Sequence, residues 1–326
     1  MSWWVFSPQI LSLKSPIQMD ALAGISTDCR VVQFDSLLSD EDFSLLARVL
    51  EDHPQITLRT FGNTDGSITN LDFLSHFPRL RRFRADALYE LADISGLMHL
   101  PRDLEHLGLG QTRKRFSLDV LRRFSALKRL WLERHTKDIE VLAELAELED
   151  LTLRSITLPD LSLLTSMRHL RALDLKLGGT KELALLPGVG RLEYVELWMV
   201  RGLADLSPLS AVPTLRYLFL QSLANVSSLP ILDAATNLIG VHLETMKGVA
   251  GLAPLASAPA LEQLEVRDLP RLQPSDLQVL VGHPTLREAT IVLGRRSEDA
   301  VRAILPLPRV VKSGRSWRQA VSDTIV

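Results

Sequence analysis

One pattern governs what this chain can fold into. The frame Leu-x-x-Leu-x-Leu recurs at Leu104-Leu107-Leu109, Leu127-Leu130-Leu132, Leu148-Leu151-Leu153 and Leu170-Leu173-Leu175. It continues, with valine at some positions, at Leu192-Val195-Leu197, Leu215-Leu218-Leu220, Leu238-Val241-Leu243 and Leu261-Leu264-Val266. The first leucines step by 23, 21, 22, 22, 23, 23 and 23 residues. Looser copies flank the series at Cys29-Val32-Phe34, His53-Ile56-Leu58 and Leu80-Phe83-Ala85, and at Leu286-Ala289-Ile291. A fixed short period means that each unit buries its apolar face against its neighbours, so the fold grows along one axis. At 326 residues the chain also exceeds the roughly 250–300 at which a single closed core stops growing.

Within Leu-x-Leu, alternate side chains point to opposite faces of a short strand. The leucines turn inward and the intervening residues turn out. About twelve such strands, stacked in parallel at ~4.8 Å, make one sheet with a concave outer face. The segments between strands carry a second apolar set, for example Leu203, Leu206, Leu209 and Val212, which closes the core from the convex side. Pro208, Pro213, Pro230, Pro254 and Pro259 disfavour long helices there, so short 3-10 turns are expected. The ends must differ from the middle to cap the stack. Residues 1–52 read as an N-terminal cap with the first loose repeat, 53–293 as repeats and 294–326 as a C-terminal cap. In the first, Ser39 or Asp40 starts a helix lined by Phe43, Leu46 and Val49 and stopped by Pro54. In the last, Ser297-Glu298-Asp299 opens a helix with Val301, Ile304 and Leu305, and Val310-Val311 adds a final strand. Trp3, Trp4 and Trp317 are expected to pack in the caps.

With this frame, and with return segments such as LADLSPLSAVPTL and GLAPLASAPALEQL, the chain resembles the leucine-rich-repeat superfamily, most closely its short-period, internalin-type bacterial members. The resemblance implies an α/β repeat solenoid, a horseshoe with a parallel concave sheet. It also implies a non-catalytic module that binds another protein. One departure stands out. The superfamily's asparagine, three residues past the frame, is replaced by His135, Ile156, Val200, Leu223, Met246 and Leu269. Apolar side chains cannot satisfy backbone groups at the bend, so the turns must do so themselves or through water.

The frame also specifies what faces out. Tyr194, Glu196, Trp198, Tyr217, Phe219 and Gln221 fall on two neighbouring strands, Arg129, Trp131 and Glu133 on an earlier one, and His242 and Glu244 on a later one. Tyr194, Trp198, Tyr217 and Phe219 are expected to form one aromatic patch, with Glu196 between two of the rings and His242 and Glu244 at its rim. Clustered outward aromatics mark recognition surfaces because they bury much area at low entropic cost. Truncating Trp198 or Tyr217 should then cost little stability. Charge is polarised along the axis. Residues 79–137 hold fourteen Lys/Arg and seven Asp/Glu, a net of +7, against −2 for the whole chain. Arg59, Arg82, Arg84, Arg129 and Arg154 lie outward in the early repeats, whereas Glu196, Glu244, Glu265 and Glu288 lie outward in the late ones. Gly108 and Gly110 leave a notch between Arg84 and Trp131, which either admits a partner side chain or reflects tight curvature.

Other functions find less support. A composition of 46% hydrophobic and 23% charged residues is that of a folded protein. The near-neutral net charge argues against chain-wide nucleic-acid binding. The single cysteine, Cys29, sits at an inward position and makes no disulfide or multi-thiolate metal site. None of the eight histidines forms a metal-hydrolase spacing, and Gly188-x-Gly190 and Gly108-x-Gly110 lack the rest of a nucleotide fingerprint. His242, Glu244 and Glu265 share a face on which a surface metal or an acid–base pair could assemble, but nothing else in the sequence supports it. No cofactor, membrane segment or small-molecule substrate is expected. The N-terminus lacks a basic region before its apolar residues, and arginine (29) outnumbers lysine (8), which suggests a cytoplasmic protein of a GC-rich bacterium. The expected function is protein binding on the concave face, as an adaptor, inhibitor or neutralising partner. The alternative is binding of nucleic acid or another polyanion by the basic early half.

Overall fold

A computed structural model of the chain describes residues 9–22, 25, 28–62, 65–294, 298–312 and 314–324, with 21 and 315 described by backbone alone. Trp3, Trp4 and Ser297 lie outside the described residues. The chain divides into two compact bodies, Met1–Glu147 and Leu148–Val326.

In the N-terminal body the elements are β1 (Ile10–Ser12), α1 (Met19–Leu22), β2 (Val31–Phe34), α2 (Asp40–Glu51), β3 (Thr57–Phe61), β4 (Arg82–Asp86), β5 (His106–Leu109) and β6 (Arg129–Glu133). Consecutive strands pair in parallel. The C-terminal body holds β7 (Asp150–Arg154), β8 (Ala172–Lys176), β9 (Tyr194–Trp198), β10 (Tyr217–Gln221), β11 (Gly240–Glu244), α3 (Ala253–Ala256), β12 (Gln263–Arg267), β13 (Glu288–Val292), α4 (Glu298–Ile304) and α5 (Gly314–Ser322). Its strands also pair in parallel and in order. All twelve expected strands form at the repeat frame. β1 is additional: Ile10-Leu11-Ser12 carries no frame spacing and becomes a strand by pairing with β2, Ile10 opposite Val31.

The division of faces follows the leucines. Leu151, Leu153, Leu173, Leu175, Val195 and Leu197 are fully buried, and Leu203, Leu206, Leu209 and Val212 meet them from the return segments. Those segments are short 3-10 turns, such as Asp72–His76, Asp119–Arg123 and Ser207–Ala211, the last with Pro208 in its first turn.

The missing asparagine ladder has a backbone substitute. Ser155, Leu177, Met199, Ser222, Thr245 and Asp268, each the first residue after a strand, all have φ between 51° and 57°. This left-handed conformation costs an L-residue about 1–2 kcal/mol. In return it aims each N–H at the carbonyl of the last strand residue of the next repeat: Ser155 to Lys176 at 2.7 Å, Leu177 to Trp198 at 2.8 Å, Met199 to Gln221 at 2.9 Å. The bend is thereby satisfied without a polar side chain, and the asparagine positions are free to join the core, where Ile156, Leu223, Met246 and Leu269 are buried.

His135 is the polar exception, 2% exposed. Its Nδ1 accepts from the Phe116 N–H at 3.3 Å, so Nε2 carries the proton and donates to the Gly110 carbonyl at 3.0 Å. Burial lowers its pKa from the ordinary value near 6.5, and a second proton on Nδ1 would face the Phe116 N–H. The unfolded chain therefore takes up this proton first as pH falls below about 6.5, and the stability contributed by the neutral imidazole is lost in that direction. His135→Ala is expected to cost about 1–3 kcal/mol at neutral pH, because it orphans two buried backbone groups. Urea midpoints at pH 7.5 and 5.5 check the sign: the native chain should lose more stability between them than the variant does.

The caps differ in detail from expectation. Ser39 caps α2 through the Asp42 N–H, and Phe43, Leu46 and Leu50, rather than Val49, form its buried stripe. Phe43 stacks on Phe73, and Phe34 meets both edge-on. Cys29 is 1% exposed, and burial pushes its thiol pKa up, as befits a core residue. At the other end, Val310-Val311 forms no strand. Pro308 accepts from the Ala289 N–H, the Val310 N–H reaches the Thr290 hydroxyl, and Val311 is exposed. The chain then enters α5, which no periodicity announced.

Candidate functional site

The outward face of the C-terminal body is covered by the chain itself. The α5 helix lies on it, and four predicted binding residues are buried there: Tyr194 (0% exposed), Phe219 (3%), Glu196 (4%) and His242 (5%). His242 stacks on Phe219 with ring centroids 4.1 Å apart. Trp317 from α5 stacks on Tyr217 at 5.4 Å and donates from Nε1 to Gln263 Oε1 at 2.9 Å. Two glycines make the seat. A Cβ on Gly240 would lie 3.0 Å from the Trp317 ring, and one on Gly314 would lie 2.7 Å from the Phe219 ring. Trp317 thus packs in the cap region as expected, but against the sheet's outer face.

The polar contacts are denser than the apolar ones. Arg318 donates to both Asp150 oxygens at 2.5 Å, to Asp174 Oδ2 at 3.1 Å and to the Thr152 hydroxyl at 3.2 Å. The Ser322 hydroxyl donates to Asp150 Oδ2 at 2.8 Å, and Arg171 holds the Thr324 hydroxyl at 2.8 Å. Lys176 bridges Asp174 (3.0 Å) and Glu196 (2.9 Å), while Tyr194 donates to Glu196 at 3.1 Å. Burial, with the Asp174 charge beside it, raises the Glu196 pKa. Burial next to Asp174 and Glu196 holds the Tyr194 phenol well above its usual range. Glu265 takes Arg267 at 2.5 Å and lies 3.3 Å from His242, whose other nitrogen is 3.3 Å from Glu244. Burial is the main influence on the His242 ring and lowers its pKa.

This arrangement corrects the expected aromatic patch. In the pairing register Tyr217 lies opposite Tyr194, but Phe219 lies opposite Glu196 and Gln221 opposite Trp198. Three rings therefore gather under α5. Trp198 stands apart, half-buried beneath the Arg154 guanidinium at 5.3 Å. The Tyr217 ring also carries Trp317, so its truncation would remove that stack as well. Asp150, Thr152, Asp174, Gln263, Arg318 and Ser322 were missed altogether. The frame marks Asp150, Thr152, Asp174 and Gln263 as outward, but nothing local signals that they have partners as many as 172 residues away.

The N-terminal body carries no such cover among its described residues. Gln33, Arg59, Arg84, Gly108 and Trp131 form one row by strand register, and Arg82, His106 and Arg129 form a second. Arg59 and Arg84 converge on Asp86 at 2.7 and 3.0 Å, and Arg82 is 3.7 Å from Glu105. The expected notch is filled from within. The Arg84 side chain crosses Gly108, where a Cβ would meet its Cγ at 2.7 Å, and places its guanidinium over Trp131 at 4.8 Å. Gly110 answers to curvature, since a Cβ there would lie 2.9 Å from the Asp86 backbone. Arg82, Arg84, Arg129 and Trp131 all remain half-buried, with part of each surface in solvent.

No protein-family model matches the sequence, and no curated protein matches it. Among solved structures, an internalin (InlF) of Listeria monocytogenes is similar at 15% identity and TM-score 0.54, over 90% of this chain and 88% of that one. Internalin C2 of the same organism matches at 20% identity and TM-score 0.44, over 55% and 77%. A TLR13–ssRNA13 complex matches at 15% and 0.47, over 87% of this chain and 50% of TLR13. Repeat frame, strand register and likeness to the InlF structure agree: the chain has the leucine-rich-repeat fold.

Proposed function

We propose that the chain is a non-catalytic binding module that takes an acidic segment of a partner protein on the outward face of its N-terminal body. The observation that carries this is the Arg–Trp row. Arg59, Arg82 and Arg84 present guanidiniums at 24–29% side-chain exposure, that of Arg84 lies over the Trp131 ring, and residues 79–137, which hold Arg82, Arg84 and Trp131, carry a net charge of +7. Arginine forks fit carboxylates bidentately and stack on aromatic faces, so a preformed Arg–Trp stack meets a carboxylate with little further ordering. Among the described residues, α5 lies on the corresponding face of the C-terminal body, whereas no helix lies on this one.

The test is affinity capture from lysate of the cells that make the protein, with native chain and an Arg82→Glu/Arg84→Glu variant as baits. Capture of a protein that withstands nuclease and falls at least tenfold with the variant supports the proposal, since charge pairs desolvated in an interface are worth about 2–5 kcal/mol. The +7 stretch also suits a polyanion. A salt-sensitive mobility shift of nucleic acid persisting at ~150 mM salt would transfer the function to that class. Equal capture by both baits would reject this face.

A further inference from the structure

From the geometry around α5 we infer that the outward face of the C-terminal body is a recognition site for a basic, aromatic helix, and that the chain's own residues 314–322 occupy it as a displaceable internal ligand. The site does not depend on the role given above to the N-terminal body.

Four observations carry the inference. First, the site is separate from the core. Its contributing side chains, Asp150, Thr152, Asp174, Tyr194, Tyr217 and Gln263, come from the outward positions of five strands, whereas the inward residues of the same strands are buried on the opposite face of the sheet. Second, the face has an excess of carboxylates. Asp150, Asp174, Glu196 and Glu265 stand on it with Lys176 and Arg267, and Arg318 of α5 brings a further cation to Asp150 and Asp174. Third, the contacts read a side-chain pattern rather than merely covering an apolar surface. An indole stacks on Tyr217 and reaches Gln263, the next residue gives a guanidinium fork to Asp150 and Asp174, and a hydroxyl four residues further returns to Asp150. Fourth, the attachment is light. Residues 305–312 between α4 and α5 hold no helix or strand, and a nine-residue helix is marginal in water by itself, so α5 is helical because it is docked. A partner helix with Trp-Arg and a hydroxyl four residues beyond the arginine would make the same contacts and compete with α5.

The experiment uses the full chain. Trp317→Ala/Arg318→Glu should expel α5 by removing the stack and opposing Asp150 and Asp174 with a third carboxylate. A fluorescent peptide of residues 312–324 should then bind this opened chain at least tenfold more tightly than the native chain, and a peptide with Arg318→Glu should bind neither. Absence of peptide binding to the opened chain, or equal binding to both chains, overturns the inference. So does loss of cooperative unfolding in the variant, which would make α5 part of the structural core. Hydrogen exchange on the unaltered chain gives an independent reading. Amides of 316–322 should exchange at least a hundredfold faster than those of β9 and β10, because α5 opens without the sheet. Equal protection would mean that helix and sheet open together and would overturn displacement.

Discussion

Leu218→Ala is expected to destabilise the chain by about 2–5 kcal/mol, shifting its urea midpoint without loss of fold in the absence of denaturant. Leu218 is 1% exposed on β10, and its side chain points to the face that Leu209 and Val212 close from the return segment. Truncation removes most of a buried leucine and leaves a cavity that parallel strands in fixed register cannot readily collapse. The neighbouring residue supplies the contrast. Tyr217→Ala, one position along and on the opposite face, removes the stack under Trp317 and should loosen α5 while leaving the leucine core intact. If Leu218→Ala shifted the midpoint less than Tyr217→Ala did, the assignment of inward and outward faces on β10 would be wrong.

Asp150→Ala is expected to release α5. Arg318 is 17% exposed and gives Asp150 two hydrogen bonds of 2.5 Å. Removing the carboxylate while the guanidinium stays buried costs about 3–5 kcal/mol. The bonds that remain, from Arg318 to Asp174 and Thr152, from Trp317 to Gln263 and from Arg171 to Thr324, together with the Trp317 stack, are expected not to hold a nine-residue helix against that cost, so the lower free energy lies with Arg318 in water. Hydrogen exchange at 316–322 should rise to that of an unfolded segment, while protection in β8 to β10 persists. Unchanged protection of α5 would show that the ion pair does not hold the helix. Asp150→Asn is the companion variant: it keeps an acceptor for Arg318 and should release α5 less completely.

Most of the repeat fold could be read from the chain because its information is local. Each Leu-x-Leu specifies a strand, the alternation of its side chains and the face it buries within a few residues, and a constant period repeats that specification from β2 to β13. The same alternation correctly separated Leu218 from Tyr217 and marked Asp150 and Asp174 as outward. It also assigned the return segments to short 3-10 turns, because proline at Pro208 limits what the backbone can do there.

What lay beyond the sequence was decided over long separations. β1 has no frame and exists through its pairing with β2. The absent asparagines were plain to read, but the remedy, a left-handed residue after each strand bonded to the next repeat, becomes visible when backbone conformations are known. The notch at Gly108 was filled by Arg84, one repeat away. Above all, the face expected to await a partner was taken by α5. By itself the sequence determined the twelve frame strands and which side chains leave the core, since these follow from strand periodicity. Tertiary structure alone decided what covers those side chains, because Arg318 and Asp150 are 168 residues apart and a local pattern carries no term for so distant a pair.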